Sequence, residues 1–232
     1  MFRLKEMLSE DAVALMMSTA YSAPYIDDVD NRYILSSAEV MKLTEMYENE
    51  AREYVVLNGI KLMSANRLSE DAYILCSNML IHIGRFNRGY VPSDEILKYR
   101  KLCLDMVSLH THPIPLPLPT LEDIISTQQV GYNTECVLSK IGKYNAKMIC
   151  IEPTKDWNRI LNSMEFFTEI VYKLVDKYIV VEDEFSIRFV PYPSEDRLQA
   201  IENEFIRILK GDAYIDIVIL DMKLSEYTRI TW

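Results

Sequence analysis

One segment constrains the fold more than any other: an apolar run that ends in two histidines and continues into prolines. Residues 102–109 are mostly apolar, His110 and His112 follow, and the next seven residues hold four of the nine prolines in the chain. Alternate side chains of a strand share a face, so the two imidazoles point into one space. Proline cannot donate to a strand ladder, and the strand is expected to end there in an extended, stiff connection.

A helix start follows the prolines. Thr120 with Asp123 three residues later is typical of a capping sequence, and predicts a helix over 121–130. The cap places the Asp123 carboxylate on the first turn, where the chain can fold back toward His110 and His112. Two imidazoles and one carboxylate are three zinc ligands, and an open fourth position distinguishes a catalytic site from a structural one. Either motif alone is common in proteins without a metal, but their combination favours a zinc site.

The spacing resembles the His-x-His-x7-Ser-x2-Asp signature of the JAMM (MPN-plus, JAB-domain) zinc metalloproteases. By this resemblance His110, His112 and Asp123 bind Zn²⁺, and Thr120 stands where the family usually has serine. A threonine keeps the hydroxyl that would donate a hydrogen bond to the developing oxyanion. The resemblance implies cleavage of an isopeptide or peptide bond after the C-terminal tail of ubiquitin or a ubiquitin-like modifier, which makes such a protein the expected substrate and partner.

The proline positions also resemble a second branch of the same fold. Pro113, Pro117 and Pro119 are similar to the prolines of the RadC branch, whose activity is unclear. A RadC-like protein and a non-catalytic MPN-type scaffold therefore remain alternatives to a hydrolase. A barrel-type amidohydrolase also uses His-x-His on a strand, but the three histidines of this chain are too few for it.

The order of elements predicts an α/β fold, and the resemblance makes it JAMM/MPN-like (cytidine-deaminase-like), with a sheet sandwiched by helices. A helical stripe over 36–51 precedes strand-like residues 53–63 and 72–76, which are expected to form a hairpin. We expect an N-terminal extension over 1–35, the zinc hydrolase domain over 36–153, and a C-terminal α+β extension over 154–232. The extension could belong to the same domain, form a homodimer or dock a regulatory partner.

The catalytic base is the least constrained residue. JAMM proteins place their glutamate at the start of the strand after the first helix, and Glu53 stands there. Its role would be to take a proton from the attacking water and to pass it to the leaving nitrogen. Glu70, which also precedes an apolar run, is the alternative. The third histidine, His82, has apolar neighbours and is interpreted as a core or edge residue.

Composition limits the partners and the location. The net charge of −10 argues against nucleic-acid binding, which needs clustered lysine and arginine. No segment reaches the length of a membrane span, and no N-terminal leader is evident, so a soluble cytoplasmic protein is expected. The four cysteines lie in apolar runs without a Cys-x-x-Cys pair, and we predict that they are reduced core residues.

Overall fold

The structure is a computed structural model that describes ten ranges of the chain: 8–23, 54–57, 60–63, 70–76, 79–86, 93–99, 103, 106–112, 115–175 and 195–232. Its helices are α1 (Glu10–Met17, continued by the 3-10 turn Ser18–Tyr21), α2 (Ser93–Leu97), α3 (Leu121–Val130), α4 (Trp157–Val175) and α5 (Glu195–Leu209). Its strands are β1 (Tyr54–Leu57), β2 (Ile60–Met63), β3 (Glu70–Cys76), β4 (Met79–Phe86), β5 (Met106–His112), β6 (Thr134–Gly142), β7 (Asn145–Pro153), β8 (Ala213–Asp221) and β9 (Glu226–Thr231).

Seven strands form one mixed sheet in the order β4-β3-β5-β6-β7-β8-β9. Every neighbouring pair is antiparallel except β5 and β6, which are parallel. Antiparallel neighbours can be joined by a tight turn, but a parallel pair needs a crossover connection, and helix α3 supplies it. The mixed α/β class is confirmed, while the JAMM/MPN fold itself stays a prediction.

Both faces of this sheet are covered by helices, as alternation along β7 shows. Met148 and Cys150 belong to a buried cluster with helix α1. Ile149 and Ile151, which project to the other face, pack with helices α3, α4 and α5. Because successive side chains of a strand point to opposite faces, α1 lies on one side of the sheet and the three longer helices on the other.

The prediction that the segments 53–63 and 72–76 form a hairpin with each other is wrong. Strands β1 and β2 pair with each other in a separate two-stranded sheet. Strand β3 pairs instead with β4 and β5. The sequence Asn58-Gly59 between β1 and β2 is a strong signal for a tight hairpin, and it accounts for the local pairing.

The C-terminal residues continue the same sheet. Strand β8 pairs with β7 along its whole length, and β9 pairs with the other edge of β8. The helix predicted over 36–51 lies outside the described residues, and the domain boundaries at 35 and 153 stay predictions. No helix in the described ranges combines the length and the apolar character that a membrane span requires.

The expectation of reduced cysteines is wrong for this structure. Cys76 is bonded to Cys103, and Cys136 is bonded to Cys150. Cys136 and Cys150 face each other directly on β6 and β7, a proximity that only strand register creates. The cysteines therefore give no support to a cytosolic setting, where disulfides are rare, and the cytoplasmic location stays a prediction.

Two arginines, each paired with a buried aspartate, hold the segment around α1 on the sheet. Arg229 on β9 donates to the fully buried Asp216 at 2.7 Å and to the carbonyl oxygen of Leu8 at 2.9 Å. Arg85 on β4 donates to the Asp71 carboxylate and, at 3.1 Å, to the carbonyl oxygen of Ser22. The two carbonyls lie at opposite ends of the segment, so each guanidinium links one end of it to a strand.

Replacing Arg229 with alanine is expected to lower the free energy of unfolding by about 3–5 kcal/mol, since it leaves a buried carboxylate without its cation. Arg207→Ala is the matched control, because Arg207 pairs with Glu204 on the exposed face of α5 and such pairs contribute little. Urea denaturation followed by circular dichroism measures both. Equal midpoints for the two variants would contradict the role given to Arg229.

The disulfides predict a specific alkylation pattern. Denatured protein treated with iodoacetamide without a reductant is expected to gain no label, and protein reduced first is expected to gain four, because all four cysteines are paired. Intact mass spectrometry reads the difference. Four labels on unreduced protein would restore the interpretation of the cysteines as reduced core residues.

Candidate metal centre

The end of strand β5 and the start of helix α3 build one site. His110 and His112 are the fifth and seventh residues of β5, so they project from the same face of the strand. The chain then runs through the proline segment, where buried Leu118 packs with the cluster beneath α3 and α4. Thr120 begins α3 as a capping box with Asp123, as the sequence predicts. The cap turns the first helical turn back toward the two rings.

The ring nitrogens and the carboxylate converge on one point. The two Nε2 atoms of His110 and His112 lie 3.0 Å apart. Oδ2 of Asp123 lies 3.4 Å from Nε2 of His110 and 3.9 Å from Nε2 of His112. Both histidines are buried, and the Asp123 side chain is one quarter exposed. The structure thus brings together the three residues that the sequence nominates as metal ligands.

The other nitrogen of each ring has an acceptor of its own. Nδ1 of His110 lies 2.9 Å from Oε1 of Glu135, and Nδ1 of His112 lies 2.9 Å from the carbonyl oxygen of Leu116. These acceptors favour a hydrogen on each Nδ1, which leaves a lone pair on each Nε2. Two lone pairs at 3.0 Å repel each other unless a proton or a cation lies between them. The arrangement therefore favours a positive charge at this point.

Glu70 completes a group that could hold a metal ion. It is the first residue of β3, it is buried, and its Oε1 lies 3.9 Å from Nε2 of His112. One donor atom each from Glu70, His110 and His112 lies within 4.8 Å of the others. The pairing of β3 with β5, in which Ala72 is opposite His110, brings Glu70 alongside His112. Glu53, the predicted base, lies outside the described residues.

The electrostatics match this geometry. Burial works to lower the pKa of His110, but the carboxylates of Asp123 and Glu135 outweigh it and raise the pKa well above the usual value. Burial likewise works to raise the pKa of Asp123, but the two imidazoles and the Thr120 backbone outweigh it and lower the pKa. The site thus stabilises an ionised carboxylate together with a positive charge, carried by a proton on His110 or by a bound cation.

Thr120 is engaged with the same carboxylate. Its hydroxyl donates to Oδ2 of Asp123 at 2.7 Å, and its backbone N–H donates to the same oxygen at 2.7 Å. Both bonds aim Oδ2 while the helix is capped. A donation from the Thr120 hydroxyl to a reacting oxygen requires that the hydroxyl first leave Asp123.

Sequence reasoning missed Glu135, which is 1% exposed near the start of β6. Its carboxylate accepts from Thr127, Ser108 and His110. The available signal was a charged residue among the apolar residues of a predicted strand, since a buried carboxylate needs polar partners. His82, by contrast, lies on edge strand β4 with a half-exposed side chain, and Nε2 of His82 is 3.1 Å from Oδ1 of Asp71.

The purified chain is expected to bind about one divalent metal ion, and His112→Ala and Asp123→Asn are expected to lose it, because each removes a converging donor. His82→Ala and Glu122→Gln are matched controls, since His82 is the remaining histidine and Glu122 is the exposed neighbour of Asp123. Elemental mass spectrometry after reconstitution gives the stoichiometry. Metal loss in the controls, or no metal in wild type, would contradict the site.

Comparisons with known proteins assign neither a family nor a function to the chain. No protein-family model matches the chain, and neither a curated protein nor a solved structure matches it. The resemblance to JAMM metalloproteases therefore rests on the motif of residues 110–123. What the structure itself establishes is a buried Glu70–His110–His112 group that could bind a metal ion.

Proposed function

We propose that the protein is a zinc-dependent peptidase of the JAMM type that hydrolyses an isopeptide or peptide bond. One observation carries the proposal: Nε2 of His110, Nε2 of His112 and Oδ2 of Asp123 converge beside the buried Glu70 carboxylate. Three converging ligands and one further carboxylate are the parts that water-activating zinc hydrolysis needs.

The donor set and its spacing support zinc. Imidazole nitrogen and carboxylate oxygen bind Zn²⁺ at about 2.0–2.2 Å in a tetrahedral shell, which separates neighbouring donors by roughly 3.3–3.5 Å. The three distances between the donors of His110, His112 and Asp123 are 3.0, 3.4 and 3.9 Å. A shell of three protein ligands leaves the fourth position for water or substrate.

Glu70 is the residue best placed to move a proton. When bound, zinc would lower the pKa of a coordinated water from 15.7 to about 7 and polarise a carbonyl. Oε1 of Glu70, 3.9 Å from Nε2 of His112, is close enough to accept a proton from a water that attacks at the site. The same oxygen can then give that proton to the leaving nitrogen.

Thr120 and Asp123 have linked roles in this proposal. The Thr120 hydroxyl holds Oδ2 of Asp123 in the ground state. As negative charge develops on the substrate oxygen, the same hydroxyl becomes a donor to it, at the position where JAMM proteases usually have serine.

The substrate is proposed to be a ubiquitin-like protein with a C-terminal tail. Such a tail can be bound as an added strand, which uses backbone hydrogen bonds and tolerates varied side chains. Strand β4 ends the seven-stranded sheet next to β3, and β3 carries Glu70 at its first residue. This edge lies two strands from the histidines of β5, within reach of an extended peptide.

Glu70→Gln is expected to retain zinc if His110, His112 and Asp123 are the three ligands, and to lose cleavage of a ubiquitin-like fusion protein by about 10²–10⁴-fold, the usual contribution of a general base. Loss of zinc in Glu70→Gln would instead make Glu70 a ligand. Glu53→Gln is the matched variant, since Glu53 holds the corresponding place in the sequence resemblance. Cleavage is measured by mass spectrometry of the released modifier and the fused segment, with zinc content measured in parallel.

The outcomes separate the alternatives. Loss of cleavage in Glu53→Gln with full activity in Glu70→Gln would transfer the role of base to Glu53. Zinc bound in wild type, without cleavage of any ubiquitin-like fusion, would overturn the peptidase proposal and support the non-catalytic scaffold.

A further inference from the structure

Glu135 is a buried carboxylate with three donors. It lies near the start of β6, where its backbone is paired with Ser108 of the neighbouring β5. Oε1 of Glu135 is 2.9 Å from Nδ1 of His110 and accepts from the Ser108 hydroxyl at 3.2 Å, while Oε2 accepts from the Thr127 hydroxyl. Burial of a carboxylate is costly unless it is hydrogen-bonded, and these three donors satisfy Glu135.

The Thr127 bond connects Glu135 to the helix that carries Asp123. Residues four apart share a face of a helix, so Asp123 and Thr127 present their side chains to the same side of α3. Asp123 approaches Nε2 of His110 at 3.4 Å. Thr127 approaches the opposite edge of the same ring through Glu135.

The imidazole of His110 is therefore held by α3 at both of its nitrogens. One path is direct, from Oδ2 of Asp123 to Nε2, and the other runs from Thr127 through Glu135 to Nδ1. The closed loop constrains the rotation of the ring and the distance between β5 and α3. It also places a negative charge behind a nitrogen donor, which increases the basicity of that donor toward a cation.

We propose that Glu135 is a positioning residue of the metal centre, which orients His110 and couples it to α3 through Thr127. This inference rests on the proposed function in so far as it requires a metal ion at the site. In addition to the three ligands and the base, Glu135 on β6 and Thr127 on the second turn of α3 would hold the ligands in their relative positions.

The test compares metal affinity in variants that differ by one functional group. Glu135→Gln keeps the shape and removes the charge, and Thr127→Val keeps the branched side chain and removes the hydroxyl. Each is expected to weaken Zn²⁺ binding by about 10–100-fold, the usual effect of losing such a partner. Thr127→Ser, which keeps the hydroxyl, is expected to restore wild-type affinity.

Ser108→Ala is the matched control, since Ser108 touches the same carboxylate without connecting it to α3 or to a ligand ring. Its affinity is expected to stay close to that of wild type. The double variant Glu135→Gln/Thr127→Val is expected to lose little more than either single variant, because both interrupt one link. Competition with a chromophoric chelator gives the dissociation constants, and the visible absorption of the Co²⁺-substituted protein reports ligand geometry.

The unfolding midpoint of each metal-free variant shows whether the substitution lowers the stability of the fold, independently of its effect on metal affinity. An unchanged Zn²⁺ dissociation constant and Co²⁺ spectrum in Glu135→Gln, with only a lower midpoint, would overturn the inference and leave the proposed function intact. If the wild-type chain binds neither Zn²⁺ nor Co²⁺, both this inference and the proposed function are overturned. Weaker binding and an altered spectrum, with Thr127→Ser unaffected, is the expected result.

Discussion

The parallel pairing of β5 with β6 is the constraint on which the candidate site depends. Two parallel neighbours cannot be joined by a hairpin, so the chain must leave the end of β5, cross the sheet and return. The crossover here begins with the proline segment and continues as α3. Its geometry brings the first turn of α3 over the last residues of β5, where His110 and His112 lie. The three donors converge because the topology requires the chain to pass over that point.

Burial then determines how these polar groups can exist together. His110, His112, Glu70 and Glu135 are all buried, and they lie on the side of the sheet that α3, α4 and α5 cover. Each would be costly alone, and each has partners: the ring nitrogens face carboxylates and a carbonyl, and Glu135 has three donors. What remains without compensation is the close approach of two imidazole lone pairs. A proton shared between the two Nε2 atoms or a bound cation at that point would compensate it, and the neighbouring carboxylates stabilise either one.

The opposite face of the sheet shows how the protein treats buried charge where no ligand is implied. Asp71 and Asp216 are each neutralised by an arginine fork, and each arginine also caps a carbonyl of the segment around α1. The carboxylates there are paired with permanent cations of the chain itself. Around His110 the chain supplies carboxylates and imidazoles but no lysine or arginine partner among the described contacts, so the balancing charge is left to a proton or a bound ion.

The sequence by itself determined the local parts: the strand ending in His110 and His112, the proline segment, and the cap formed by Thr120 and Asp123. These depend on periodicity, proline geometry and hydrogen bonds between residues three apart, which act over short distances along the chain. The tertiary structure alone decided the rest. Glu70 and Glu135 reach the histidines through the pairing of β3 and β6 with β5, and Cys136 meets Cys150 through the register of β6 and β7. Strand order joins residues distant in sequence, and no local preference of those residues encodes it.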